Sequence, residues 1–440
     1  MAKGKKKKEL TIEEKLEQAL VPREEWPYEV PENWCWVRLG SVMSVVTGKK
    51  DANYGTENGK YIFFTCAGEP INCDDYSFEG ESLLLPGNGA NVGKVFYFDG
   101  KFEAYQRTYV LQSKYKDLCL KYLYYQMQGF WEDFNKDKQY GSATNYIKMS
   151  NFTDYIFPLP PLAEQYRIVN QIESLFSKLD EAKEKLESIV IESVDKKEAI
   201  LTAALSGLLT KCSHEVENKG IVFFLKHEKN AIKAGPFGSA LKKEIYVENG
   251  YKVYGQEQVI NGDETIGNYY IDERKYKELE SCKVSPNDVL ISLVGTVGKV
   301  LVLSEDCKAG IINPRLIKLS LDKEKMLPSF FKYYFESRYL RSMYKNKSHG
   351  TTMDVLNMKI IKDLPFPCYS IEEQIDILQI LDTTLPIIEN MKVIAVDAKE
   401  KIDIMKKSIL SKAFRGELGT NDLEKEESIK LIRKILAENC

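Results

Sequence analysis

Over residues 162–207 apolar side chains return at three- and four-residue steps, at Leu162, Val169, Ile172, Phe176, Leu179, Leu186, Val190, Ile200 and Ala204. That spacing predicts one very long helix with a single apolar seam. Lys183, Ser193 and Lys197 fall on the seam, so the partner surface must offer them polar contacts or leave them near solvent. Pro160 and Pro161 mark the start, and Gly207 suits a left-handed stop. A helix reaching roughly 65 to 70 Å needs a partner. The sequence supplies one, because the pattern returns without a gap 209 residues later: Glu164 and Gln165 fall on Glu373 and Gln374, Ile168 on Ile377, Leu201 on Leu410, Ala204 on Ala413, and Gly207 on Gly416. Ser370 and Glu373 form a capping box before the second copy. The two copies are expected to pair with each other, with a kink or late start where Pro386 replaces Ser177.

The remaining pattern changes period. Thr11 to Leu20 predicts a short helix with a capping box at Thr11 and Glu14. Between Trp26 and Pro160 come strand-like runs at 61–65, 83–85, 95–98 and 109–112, then an aromatic-rich helical segment from Leu118 to Phe134. Residues 221–369 repeat this grammar. Val92, Gly93, Lys94 and Val95 return as Val297, Gly298, Lys299 and Val300, Gln106 and Arg107 correspond approximately to Pro314 and Arg315, and Gly235 to Ser239 faces Gly48, Lys49 and Lys50. The frame is duplicated while the content between frame points is not. The expected organisation is a basic arm and short helix (1–25), a first mixed α/β domain (26–160), a long helix (161–209), a linker (210–220), a second mixed α/β domain (221–369), a distal long helix (370–418) and a tail helix (419–440). The fold class is therefore α+β, with two domains separated by two long antiparallel helices and a pseudo-twofold from the internal repeat.

Composition narrows the function. A chain of 440 residues with 43% hydrophobic content can build two or three cores. No apolar run approaches 18 residues, which argues against a membrane span, and the lysine run near the N-terminus has no apolar segment behind it to make a secretory signal. Nine scattered cysteines without a CxxC pair fit free thiols in a reducing cytoplasm, and three distant histidines offer no metal-site pattern. Net charge is −3, but residues 221–369 hold 23 Lys plus Arg against 18 Asp plus Glu, whereas residues 26–160 hold 13 against 16. Such differences also arise from ordinary surface variation.

Catalytic patterns fail on inspection. Gly87, Gly89 and Gly93 before Lys94 match neither GxGxxG nor GxxxxGK[ST], and read as a turn between strands. Asp288, Asp306 and Lys308 have the residue types of a metal-dependent nuclease, but Asp306 fits a turn. No Asn/Asp-Pro-Pro-aromatic motif of an amino-methyltransferase occurs, so no cofactor is expected on this chain. What survives is a binding signal. Arg338, Arg341, Lys345, Lys347 and His349 alternate with tyrosines before Gly350, Thr351 and Thr352, and Lys136, Lys138, Gln139 and Tyr140 precede Gly141, Ser142 and Thr144. Cations position phosphates while amides, hydroxyls and guanidinium groups can read base edges. A solvated basic face is the alternative.

Residues 31–40 (PENWCWVRLG), 157–165 (FPLPPLAEQ) with its second copy ending at Gln374, 235–239 (GPFGS) and 411–418 (SKAFRGEL) resemble the specificity subunits of type I restriction-modification systems. The resemblance covers nearly the whole chain. It implies two target-recognition domains, each reading half of a split, asymmetric sequence in double-stranded DNA, and no chemistry on this chain. It further implies two modification subunits that carry the methyl donor and two motor-nuclease restriction subunits as partners, with the paired helices setting the distance between half-sites. The candidate DNA contacts are Lys49, Lys50, Asn91, Lys94, Arg107, Lys136, Lys138, Gln139, Ser142 and Thr144 in the first domain. In the second they are Ser239, Lys242, Lys299, Arg315, Arg341, Lys345, Lys347, His349, Thr351 and Thr352. The rival classes are a stand-alone endonuclease or methyltransferase, and a helical scaffold that binds only proteins.

Overall fold

A computed structural model describes residues 11–140, 145–210, 216–294, 296–345, 356–422 and 427–437. The chain forms two units, one of residues 1–185 and 397–440, the other of residues 186–396. Each long helix contributes to both. The first runs Leu162–Leu205 over 44 residues and the second Ile371–Ala413 over 43, about 66 and 65 Å at 1.5 Å per residue. Gly207 and Gly416 follow them in the left-handed region, at φ 76° and 75°. The late start anticipated at Pro386 does not occur. The second helix begins at Ile371, with Glu373 N–H donating to Ser370 Oγ (3.2 Å), and runs unbroken through the proline. Burial of Leu381 and Ile388 on either side of the missing N–H keeps that helix face packed.

Within each unit the helices pack as an antiparallel pair. In the first, Ile168, Val169 and Ile172 share a core with Leu410, Ala413 and Phe414; in the second, Leu201, Ala204 and Leu205 share one with Ile377 and Leu381. The polar seam positions find the contacts they need. Lys183 donates to Asp403 (2.8 Å), Ser193 to the Val190 carbonyl (2.7 Å), and Lys197 lies 3.9 Å from Glu389. Lys406 meets Asp180. Asp180 and Glu389, and likewise Lys197 and Lys406, are separated by the repeat's 209 residues, so one ion pair is made twice. These exposed pairs align the helices more than they stabilise them, at about 0–1 kcal/mol each.

The sheets are duplicated in the same way. The first unit holds an antiparallel sheet ordered Met43–Thr47, Thr108–Ser113, Ser82–Pro86, Phe96–Phe98, and the second repeats it as Ile232–Ala234, Leu316–Leu319, Val289–Ser292, Val300–Val302. A further sheet in each is built on a parallel pair, Tyr61–Phe64 with Lys101–Ala104 and Tyr251–Tyr254 with Gly310–Ile312. The short strands Ile71–Cys73, Phe78–Glu79 and Lys101–Ala104 alternate over only two to four residues, too few to announce them. Cys35–Arg38 pairs with Ile156–Leu159, and Asn218–Gly220 with Pro365–Pro367. The last pair corrects the sequence reading, which gave residues 210–220 to a linker. Asn218, Lys219 and Gly220 carry no strand signal of their own and become a strand because the partner edge is there.

Each long helix is tied to its domain by one buried glutamine. Gln165 accepts from the N–H of Cys119 (3.0 Å), the residue capping helix Leu120–Asn135, and donates to the Pro160 carbonyl (2.9 Å). Gln374 accepts from the N–H of Leu327 (2.8 Å), capping helix Pro328–Glu336, and donates to the carbonyls of Lys325 and Tyr369 (2.9 and 3.0 Å). Both side chains are fully buried. Removing one leaves buried backbone groups without partners, each worth about 1–3 kcal/mol. Gln374→Ala should therefore destabilise the second α/β domain by about 2–4 kcal/mol, read as faster hydrogen exchange along Val289–Ser292. Lys183→Ala should shift stability by less than about 1 kcal/mol; equal effects from the two would refute the ranking.

Candidate nucleic-acid interface

In both units a glycine lets one strand end press against the turn that carries an arginine. Gly48 N–H donates to Thr108 O (3.2 Å) and Gly235 N–H to Leu316 O (3.0 Å). A Cβ on Gly48 would overlap the Ala104 carbonyl, and one on Gly235 the Asn313 carbonyl. The contact sets Arg107 and Arg315 one residue before equivalent strand positions. Their backbones are pinned, since Arg107 O accepts from Gly87 N–H (2.8 Å) and Arg315 O from Leu293 N–H (3.0 Å). Both side chains remain exposed.

The second unit holds its arginine with neutral groups. Arg315 Nη1 donates to Gln256 Oε1 (3.3 Å), and Arg315 N–H to Asn313 Oδ1 (2.9 Å). Gln256 is itself fixed, its Nε2 donating to Ser292 Oγ (3.1 Å) and to the Val294 carbonyl. An amide orients the guanidinium without neutralising it, leaving the other nitrogens to form a fork. Ser239, in the turn Gly238–Ala240, and Lys242 are exposed, and the intervening motif carries Phe237 at 89% exposure.

The first unit solves the same place differently. Gln106 donates through Nε2 to Asp51 Oδ1 (2.9 Å) and its N–H to the Lys50 carbonyl (2.9 Å). Lys50 Nζ lies 4.0 Å from the Tyr54 ring centroid. The Tyr54 side chain raises the Lys50 pKa above the ordinary lysine value, with smaller help from Glu103 and Asp75. A cleft of about 330 Å³ opens beside Arg107, lined by Gly87, Asn88, Gln106, Tyr109 and Tyr146. Lys148 Nζ sits 3.9 Å from the Tyr140 ring, and the backbones of Tyr140 and Tyr146 bridge.

The other sequence candidates divide. Lys49, Lys94 and Lys136 are exposed, Lys138 lies 3.5 Å from the Phe134 ring centroid, and Gln139 is half-buried. Asn91 is engaged locally, donating to the Cys66 carbonyl (2.9 Å). Lys299 and Arg341 line a different cleft in the second unit, facing Lys197, Glu198 and Pro386 of the long helices. Ser142, Thr144, Lys347, His349, Thr351 and Thr352 lie outside the described residues, as does the Lys345 side chain. Gln256, Asn313, Asn88, Tyr146 and Lys148 were missed. Asn313, beside Pro314, and Asn88, between Gly87 and Gly89, had turn signals that could have singled them out.

The catalytic candidates have structural occupations. The Asp288 carboxylate is buried, accepting from Ser320 Oγ (2.6 Å) and Ser285 N–H (2.8 Å) and lying 3.5 Å from Lys318 Nζ. Gly87, Gly89 and Gly93 form the connection between Ser82–Pro86 and Phe96–Phe98. Among the described residues no group of three His, Cys, Asp or Glu could hold a metal, seven cysteines are free, and no helix is long and apolar enough to cross a membrane.

Comparison with known proteins identifies the duplicated architecture. The family model described as type I restriction modification DNA specificity domain matches residues 31–190 and again 237–396. The chain is 26% identical over 417 residues to the type I restriction enzyme EcoDI specificity subunit of Escherichia coli, covering 89% of this chain and 90% of that one. It is 23% identical over 424 residues to the MjaVIII specificity subunit of Methanocaldococcus jannaschii, covering 90% and 95%. Two solved structures share the fold. A chain from a type I R-M system gives a TM-score of 0.64 at 18% identity, covering 89% of this chain and 100% of that one. The HsdS subunit from Thermoanaerobacter tengcongensis gives 0.59 at 17%, covering 89% and 99%. With two copies of the family's domain falling on the two duplicated units, the chain belongs to the type I restriction-modification DNA specificity family.

Proposed function

We propose that this chain is the specificity subunit of a type I restriction-modification complex. It reads a bipartite, asymmetric target in double-stranded DNA and recruits two modification and two restriction subunits. The observation that carries the reading is the duplicated sheet frame, which presents Arg107 and Arg315 at matching positions amid different neighbours. Equal frames suit a duplex, whose backbone is itself twofold, and unequal neighbours suit two different half-sites. Recruitment is supported by the long helices, which expose Ile191, Val194, Ile387, Val393 and Ile404 beyond what their own pairing buries. Methyl transfer and cleavage then belong to the partners, and this chain needs no cofactor.

The purified chain with a methyl donor or with a divalent metal should neither methylate nor cut DNA, whereas addition of modification subunits should produce methylation at a single split motif. Methyl transfer by the chain alone would sink the proposal. Within that complex Arg315 is expected to fork onto a guanine edge, the commonest specific arginine contact. Arg315→Ala should cost about 1–3 kcal/mol and relax one base of one half-site. Arg315→Lys should not restore it, because a point charge cannot replace the fork. Gln256→Ala should relax the same base with a smaller loss. Methylation mapping reads these changes, and a loss spread evenly over all sequences would instead mark Arg315 as a phosphate contact. Lys49→Ala should weaken all sequences alike and flatten the salt dependence of binding by about one unit; an unchanged slope between low and moderate salt would remove Lys49 from the interface.

A further inference from the structure

The repeat makes two equivalent faces, and among the described residues helices cover only one of them. In the first unit helices Ile12–Ala19 and Ser428–Ala437 form a lid, with Leu16, Ala19, Ile432 and Leu436 in the same core as Val37, Leu39 and Leu118. The lid is latched to the start of the first long helix. Thr420 donates its hydroxyl to Glu164, and Arg167 Nε donates to the Thr420 carbonyl (2.9 Å). Ser428 N–H and Oγ both donate to Asn33 O (3.0 and 2.7 Å), and Lys434 pairs with Asp117.

At the repeat's offset of 209 residues the latch positions Glu164 and Arg167 become Glu373 and Asp376, and Leu418 beneath the lid becomes Leu209. No helix covers them among the described residues. Two clefts of about 610 and 710 Å³ open there instead and share Thr210 and Asp376. Leu208 is 78% exposed and Phe223, in the turn Ile221–Phe224, 45%. The rim carries Glu324, Glu372, Glu373 and Asp376 against one cation, Lys325. Helices Ile12–Ala19 and Ser428–Ala437 both pack on the first unit.

We propose that this face of the second unit binds an amphipathic, basic helix supplied by another protein. Its chemistry is given by the lid that fills the equivalent face. Helix Ser428–Ala437 carries Lys430, Arg433 and Lys434, no acid, and an apolar stripe of Ile432, Ile435 and Leu436. Such a helix would lay its stripe on Leu208, Leu209 and Phe223 and its cations against the acidic rim. The inference does not depend on which DNA bases the chain reads.

The test uses the full chain and a labelled peptide of residues 427–437 as the probe. Fluorescence anisotropy should show saturable binding of one peptide per chain. Leu209→Asp with Phe223→Asp should weaken it at least tenfold, as should Glu372→Lys with Asp376→Lys, and added salt should weaken it further. A peptide with Ile432→Ser and Leu436→Ser should not bind. All four chain substitutions fall on exposed or half-buried positions, and circular dichroism would verify that the variants fold. Absence of saturable binding, or binding indifferent to both pairs of substitutions, would overturn the proposal. So would sedimentation showing a dimer that the same substitutions dissolve, because the occupant would then be a second copy of this chain.

Discussion

A single buried amide at the start of each long helix holds the architecture together. Gln165 and Gln374 each accept from the N–H that opens a domain helix and donate to a carbonyl just before their own helix. A glutamine can do both at once because its side chain carries an acceptor and two donors. The helix and the domain it leaves are thereby fixed at a joint where neither has a spare backbone partner. Because the joint is made twice by the same residue type at the same repeat positions, each recognition domain meets its long helix in the same way. The ion pairs Asp180–Lys406 and Lys197–Glu389 extend that equivalence along the helices at little energetic gain.

Duplication of the frame leaves the site free to differ. Gly48 and Gly235 create the same close approach, and Arg107 and Arg315 follow at equivalent strand positions. Around them the two domains share almost nothing. Arg315 is steered by Gln256, whereas Arg107 stands beside a cleft whose amide, Gln106, is held by Asp51. A ladder of backbone hydrogen bonds constrains where an arginine emerges but not what surrounds it. Two half-sites can therefore diverge without disturbing the core that presents them.

The repeat is also unequal at its ends. One copy is closed by helices from both chain termini, and the other reaches Leu208 and Leu209 with nothing comparable to fold over them among the described residues. Helices Ile12–Ala19 and Ser428–Ala437 both lie on one copy. Internal symmetry thus gives two similar domains different surroundings.

Much of this was legible in the sequence because periodicity and offset are properties of the chain itself. The long helices, their glycine stops, the capping boxes at Thr11 and Ser370, and the duplicated frame all follow from local patterns that need no partner to be recognised. The polar seam residues Lys183 and Lys197 were legible as positions needing polar contacts or a place near solvent, and they make ion pairs. Tertiary structure decided the rest. Asn218–Gly220 is a strand only because Pro365–Pro367 lies beside it, and the helix runs on through Pro386 with Leu381 and Ile388 packed in the core. Gln256 stands 59 residues from Arg315 and touches it only after the parallel strand pair forms. Arg341, one member of a basic run by sequence, turns towards the long helices once its own helix packs Leu340 and Tyr344 inward. Local pattern fixes which segments are helix or strand and that the frame is doubled, since those depend on near neighbours. Which side chains meet at a site depends on contacts distant in the chain, and those exist only in the folded molecule.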